Sequence, residues 1–107
     1  MAPAVLRSGP LELRAAERMA LWHGTPLDLT STEFNLLEAL ARAPGQLVDK
    51  NALSQAALGR PLARYDRSVD MHVSHLRRKL GDLPDGRSPI HTVRGMGYQW
   101  VAAGGVT

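Results

Sequence analysis

The chain has 107 residues, 44% of them hydrophobic, a net charge of +3 and no cysteine. That suits one compact domain with a small core. It rules out disulfides and thiolate metal sites and fits a reducing cytosol. No apolar run approaches the ~20 residues that span a bilayer. Residues 1–8, with Arg7 alone and no apolar core, do not make a signal peptide. A cytoplasmic protein away from membranes is expected.

Leu11, Leu13, Met19, Leu21, Leu27 and Leu29 alternate with polar or small residues, which is strand periodicity. Breaks at Gly9-Pro10 and at His23-Gly24-Thr25-Pro26 predict short antiparallel strands joined by tight turns. Thr30 with Glu33 three residues later forms a capping box for a first helix. Phe34, Leu37 and Ala41 recur at helical spacing, Leu36 and Leu40 widen the apolar face, and Pro44-Gly45 stops it. Gln46-Leu47-Val48 can make a short strand. Asp49 is the expected N-cap of a second helix running to Leu58, with Leu53, Ala56 and Ala57 inward. Pro61 keeps residues 59–66 a loop. Asp66 is the expected cap of a third helix, 67–80, which Gly81 ends. Two β-prone runs, Ile90 to Val93 and Tyr98 to Val101, flank Arg94-Gly95-Met96-Gly97 and predict a hairpin. Residues 1–8 are expected to be disordered or a linker remnant, 9–102 the domain, and 103–107 a frayed tail.

Strands, three helices and a hairpin, in that order, make an α+β winged helix-turn-helix. Charge placement agrees. Residues 60–80 hold six cations, Arg60, Arg64, Arg67, Arg77, Arg78 and Lys79, against Asp66 and Asp70, while the rest of the chain nets −1. A concentrated basic stretch is the footprint of a polyanion, although a solvated helix face would carry the same charges.

At about 100° per residue, Val69, Val73, Leu76 and Leu80 fall within roughly 60° of one another and form a buried stripe. The other side collects Arg67, Met71, Ser74, His75 and Arg78, with Asp70 and Arg77 on one flank and His72 and Lys79 on the other. Arg donates to guanine, Asp accepts from cytosine, Ser can do either, and Met71 suits a thymine methyl. His72 and His75 could share a metal, but no carboxylate or cysteine completes the set on that face, so no metal is expected. In the hairpin, Arg94 suits a narrow minor groove and Tyr98 a phosphate oxygen. The two glycines allow close backbone approach.

The run Asp66-Arg67-Ser68-Val69-Asp70-Met71-His72-Val73-Ser74-His75-Leu76-Arg77-Arg78-Lys79-Leu80, with Thr92-Val93-Arg94-Gly95-Met96-Gly97-Tyr98, closely resembles the effector domain of OmpR/PhoB-family response regulators. Leu29-Thr30-Ser31-Thr32-Glu33-Phe34-Asn35-Leu36-Leu37 matches that family's first-helix signature. Leu58-Gly59-Arg60-Pro61-Leu62 and the Asp-Met-His run look most like CpxR-type members. The resemblance covers residues 9–102.

It implies a four-stranded N-terminal sheet, three helices and a hairpin wing, acting in transcription regulation within a two-component phosphorelay. It also implies direct-repeat promoter DNA bound by head-to-tail pairs, and contact with RNA polymerase through Arg60, Leu62, Arg64 and Tyr65. Carried onto matching positions, Arg67, His72 and Arg77 would touch phosphates, and Asp70, Met71, Ser74 and His75 would face bases, with Arg78 beside them on the same helix face. Thr92 and Tyr98 would serve the wing at phosphates and Arg94 at the minor groove. His75 stands where PhoB-like members carry Arg. The family's receiver domain has no room in this chain, which is therefore expected to be a piece of a longer regulator.

RNA is a poorer partner, because its deep, narrow major groove excludes a helix and none of the five aromatics (Trp22, Phe34, Tyr65, Tyr98, Trp100) lies on the third helix. No catalytic constellation or cofactor motif is present, so an enzyme is not expected.

Overall fold

A computed structural model describes residues 5–102. The expectations for residues 1–4 and 103–107 lie outside them. Strands β1 (Val5–Ser8), β2 (Leu11–Arg14), β3 (Met19–Trp22) and β4 (Thr25–Pro26) form an antiparallel sheet in sequence order. The domain thus starts earlier than the sequence suggests: Val5 to Ser8, expected as linker, pair with Arg14 to Leu11. The pairing is locked from the far end of the chain, where the buried Trp100 indole donates to Ser8 Oγ at 2.9 Å.

Parity in β3 is also reversed from expectation. Ala20 and Trp22 face the core, while Met19 is exposed and Leu21 half-exposed. Trp22 stacks edge-on against Trp100, 6.1 Å between centroids, and that large ring decides which face of the strand is buried.

Helix α1 (Ser31–Ala41) begins with the expected reciprocal capping box between Thr30 and Glu33. Arg18, left-handed at φ +54°, reaches across from the sheet, placing its guanidinium 4.3 Å over the Phe34 ring and bonding Asn35 and Ser31. Strand β5 (Leu47–Asp49) leads into α2 (Lys50–Leu58), capped by Asp49 at the Ala52 amide. Leu53 and Ala57 point inward as expected, but Ala56 is exposed. The third inward residue is Ser54, whose hydroxyl donates to the Arg60 carbonyl at 2.7 Å.

Helix α3 (Ser68–Leu80) starts one residue later than expected, because Asp66 Oδ1 accepts from both the amide and the hydroxyl of Ser68. Its stripe Val69, Val73, Leu76 and Leu80 is buried as the periodicity requires. Strands β6 (Ile90–Val93) and β7 (Gly97–Trp100) form the hairpin, and β7 also pairs with β5, giving a three-stranded sheet ordered β5-β7-β6. Gly97 permits that union, since a Cβ there would run into the Val48 carbonyl oxygen.

Val73 is fully buried and Ser74 beside it is exposed. Val73→Asp places an unpaired charge in the core, costing several kcal/mol in a domain with about 5–15 to lose. Circular dichroism should show no cooperative melt for Val73→Asp, and a Ser74→Asp melt within about 0.5 kcal/mol of wild type. Equal stability of the two would show the helical register to be wrong.

Candidate nucleic-acid interface

With its apolar stripe against α1 and α2, α3 turns Arg67, Met71, Ser74 and Arg78 to solvent. Met71 is 51% exposed although apolar. Arg94 and Met96 are likewise exposed at the hairpin tip, around Gly95 at φ +76°. All are exposed, and apart from the long Arg67–Asp70 approach at 3.9 Å they are without charged partners among the described residues.

Several other candidates are tied into the fold. Asp70 accepts from the Tyr98 hydroxyl at 2.5 Å, with Lys50 Nζ at 3.1 Å and Arg67 Nε at 3.9 Å. Burial pushes the Asp70 carboxyl up, but the bonds from Tyr98 and Lys50 outweigh it and hold it below the usual carboxylate range. Burial and that same bond push the Tyr98 phenol up to about 12. The expected base acceptor and the expected phosphate donor therefore engage each other, and join α3 to β7 and to the start of α2.

Arg77 likewise donates through Nε and Nη2 to the Ile90 carbonyl, at 3.1 and 2.7 Å, and through Nη2 to Thr92 Oγ1 at 2.6 Å. It clamps the wing to the helix. Arg77 and Thr92 line an open groove of about 590 Å³ together with Arg87, Ser88, His91 and Gln99. Sequence reasoning missed Lys50, Arg87 and His91. His91 had a signal, since it alternates with buried Ile90 on β6; Lys50 meets Asp70 only through the packing of α2.

In the loop between α2 and α3, Arg60 bonds Asp66 at 2.6 Å and Ser68 at 3.2 Å. The Ser68 hydroxyl and amide, with Arg60, hold the Asp66 carboxyl far below its usual range. Asn51 fixes the Leu62 amide at 2.9 Å. Arg60 is thus a structural pin and Leu62 is half-buried, whereas Arg64 and Tyr65 project outward, Tyr65 85% exposed at φ +62°.

His72 and His75 do gain a carboxylate, contrary to the sequence reading. Glu33, from α1, offers an oxygen within 4.8 Å of a ring nitrogen of each. The third member lay on another helix, where the faces of α3 alone could not reveal it.

The family model for the C-terminal domain of transcriptional regulatory proteins matches residues 24–100. The chain belongs to that family. It is 47% identical over 93 residues to the transcriptional regulatory protein CpxR of Escherichia coli K12, covering 87% of this chain and 40% of that protein. It thus spans about two-fifths of the curated relatives it matches. The crystal structure of the E. coli CpxR DNA-binding domain superposes with a TM-score of 0.86 at 44% identity, over 95% of this chain and 99% of that one. The Klebsiella pneumoniae RstA DNA-binding domain in complex with the RstA box gives 0.83 at 32%, over 94% and 99%. The family is one of DNA-binding regulatory domains rather than enzymes. No helix among the described residues is long and apolar enough to cross a membrane.

The Asp70 junction has a pH signature. Its depressed carboxyl stabilises the fold above the ordinary Asp value of about 3.9, and that contribution is lost as pH falls through the depressed value. Asp70→Asn keeps an acceptor for Tyr98 but removes the charge facing Lys50. At pH 7 it should melt on the order of 5 °C lower, and the gap from wild type should close as pH drops below about 4. A gap constant down to about pH 3 would show that the ionised carboxylate contributes nothing.

Proposed function

We propose that this chain binds duplex DNA sequence-specifically as the effector domain of a two-component response regulator, with α3 in the major groove and the β6–β7 wing at the adjacent minor groove. The observation that carries this is the rigid pairing of an outward polar helix face with an Arg-tipped hairpin, bolted together by Arg77–Thr92 and Asp70–Tyr98. Membership of a DNA-binding regulatory family supports it.

In this reading Met71, Ser74, His75 and Arg78 face base edges, where Arg and Ser supply hydrogen bonds and Met71 an apolar surface. Asp70 keeps lone pairs that can accept from a base while it holds Tyr98. Arg67, His72, Arg77 and Thr92 line the phosphate path, the groove beside Arg77 adds Arg87 and His91 to it, and Tyr98, expected at a phosphate, instead stands behind the path with its one hydroxyl proton given to Asp70. Such contacts position the protein, whereas base contacts select the site. Direct-repeat promoter sites, a head-to-tail second copy on DNA and control by a receiver domain follow from the family resemblance.

Arg94 tests the wing. Arg94→Ala should cost about 1–3 kcal/mol on the preferred site. It should also flatten the preference for A·T pairs beside the helix-contacted bases, because a narrow groove concentrates the potential that attracts Arg. Duplex affinities on A·T- and G·C-flanked sites decide the matter; a variant that still discriminates the flanks as well as wild type would defeat minor-groove reading.

The loop of residues 59–67 is proposed as the RNA polymerase contact. Tyr65 is the informative probe there, since it is exposed while Arg60 and Leu62 support the loop. In the full-length regulator, Tyr65→Ala should reduce promoter activation with duplex affinity unchanged. Parallel loss of both would assign the loop to DNA.

A further inference from the structure

His72 and His75 lie three apart on α3, so both rings emerge on one side of the helix. They stand edge to face, 6.3 Å between centroids. Opposite them is Glu33 of α1, 3% exposed. Its Oε1 is fully engaged, accepting from the Thr30 amide at 3.0 Å and from Lys79 Nζ at 2.6 Å. Those bonds fix the carboxylate, and its Oε2 faces His75 Nδ1 at 3.9 Å. His72 Nδ1 is buried without a hydrogen-bond partner among the described residues, and a buried polar atom left unpaired is rare enough to require a cause.

We propose that Glu33, His72 and His75 form a binding site for a divalent ion of the zinc class, and that occupancy opposes DNA binding. Two imidazoles and a carboxylate are a borderline-soft N/O set suited to Zn²⁺, leaving a fourth position to water. One donor atom from each residue already lies within 4.8 Å of the others. A tetrahedral ion with bonds near 2.0–2.1 Å needs about 3.3 Å between them, a closure of about 1.5 Å or less that rotation of the exposed ring side can supply. Ligation through Nδ1 would give the orphaned His72 nitrogen a partner. The ion takes Glu33 Oε2 and leaves Oε1 to the capping box and Lys79, whose ammonium neutralises part of the carboxylate and keeps the site weaker than a dedicated structural zinc centre.

Ligation would draw His75 and His72 toward α1 and away from DNA. That consequence rests on the functional reading above, whereas the site itself does not.

The test is calorimetric titration of metal-free, untagged protein with zinc chloride in the absence of DNA. Wild type should take up one ion per chain. His72→Gln, His75→Gln and Glu33→Gln should each lose at least about tenfold in affinity, since even an outer-shell loss weakens metal sites that much. His91→Gln, off the site, should bind like wild type. Dichroism melts check folding, and Glu33→Gln keeps an acceptor for the capping box. No uptake at about 100 µM zinc, far above what typical zinc sites require, would overturn the site. So would equal weakening by His91→Gln, or uptake indifferent to both histidine variants. In duplex titrations zinc should weaken wild-type binding about fivefold or more and leave Glu33→Gln unmoved. Zinc uptake without any change in duplex affinity would overturn the antagonism alone, and absence of duplex binding with or without zinc would overturn the DNA reading instead.

Discussion

A half-buried carboxylate on the exposed side of a helix is costly unless its lone pairs are met. Asp70 is such a group, and the arrangement around it follows from meeting that demand. Tyr98 brings the central strand of the wing sheet, Lys50 brings the first residue of α2, and Arg67 brings the start of α3 itself. One side chain therefore ties together three elements, β7, α2 and α3. Arg77 repeats the device about two helical turns later, holding the neighbouring strand β6 by its backbone carbonyl.

The apolar core does a different task. Leu36, Leu37 and Leu40 of α1, Leu53 of α2 and the α3 stripe are all buried, and their burial sets how deeply α3 is seated. The polar junctions set its rotation and its distance from the hairpin. Core burial is non-directional, whereas hydrogen bonds with defined angles are directional, so orientation falls to the latter.

What could be read beforehand follows from the range of the interactions. Caps were legible because Thr30–Glu33 and Asp49–Ala52 are neighbours in sequence. The α3 stripe was legible because a helix converts spacing into direction. The parity of β3 was not, since apolar residues occupy both faces and only the contact of Trp22 with Trp100, far along the chain, decides between them. Among candidate site residues, the exposure of Arg78, Ser74 and Met71 follows from the period of α3, and that of Arg94 from its place at a hairpin tip. The partners of Asp70, Arg77 and His75 come from other elements, and no periodicity within α3 carries that information. The membership in the response-regulator family was legible from the motifs of α1, α3 and the wing together.

The meeting of β5 with β7 at Gly97 has a consequence for recognition. Because the hairpin is the middle and far edge of a sheet whose first strand runs straight into α2, its tip cannot swing independently of the helices. The geometry is that of a caliper with a preset gap rather than of a hand that closes. In the docking proposed above, duplexes whose backbone separation matches the gap would be accepted without deformation, and others would have to be bent or compressed to fit. On that docking, the frame itself would select duplexes by local width and stiffness, alongside any reading of individual bases.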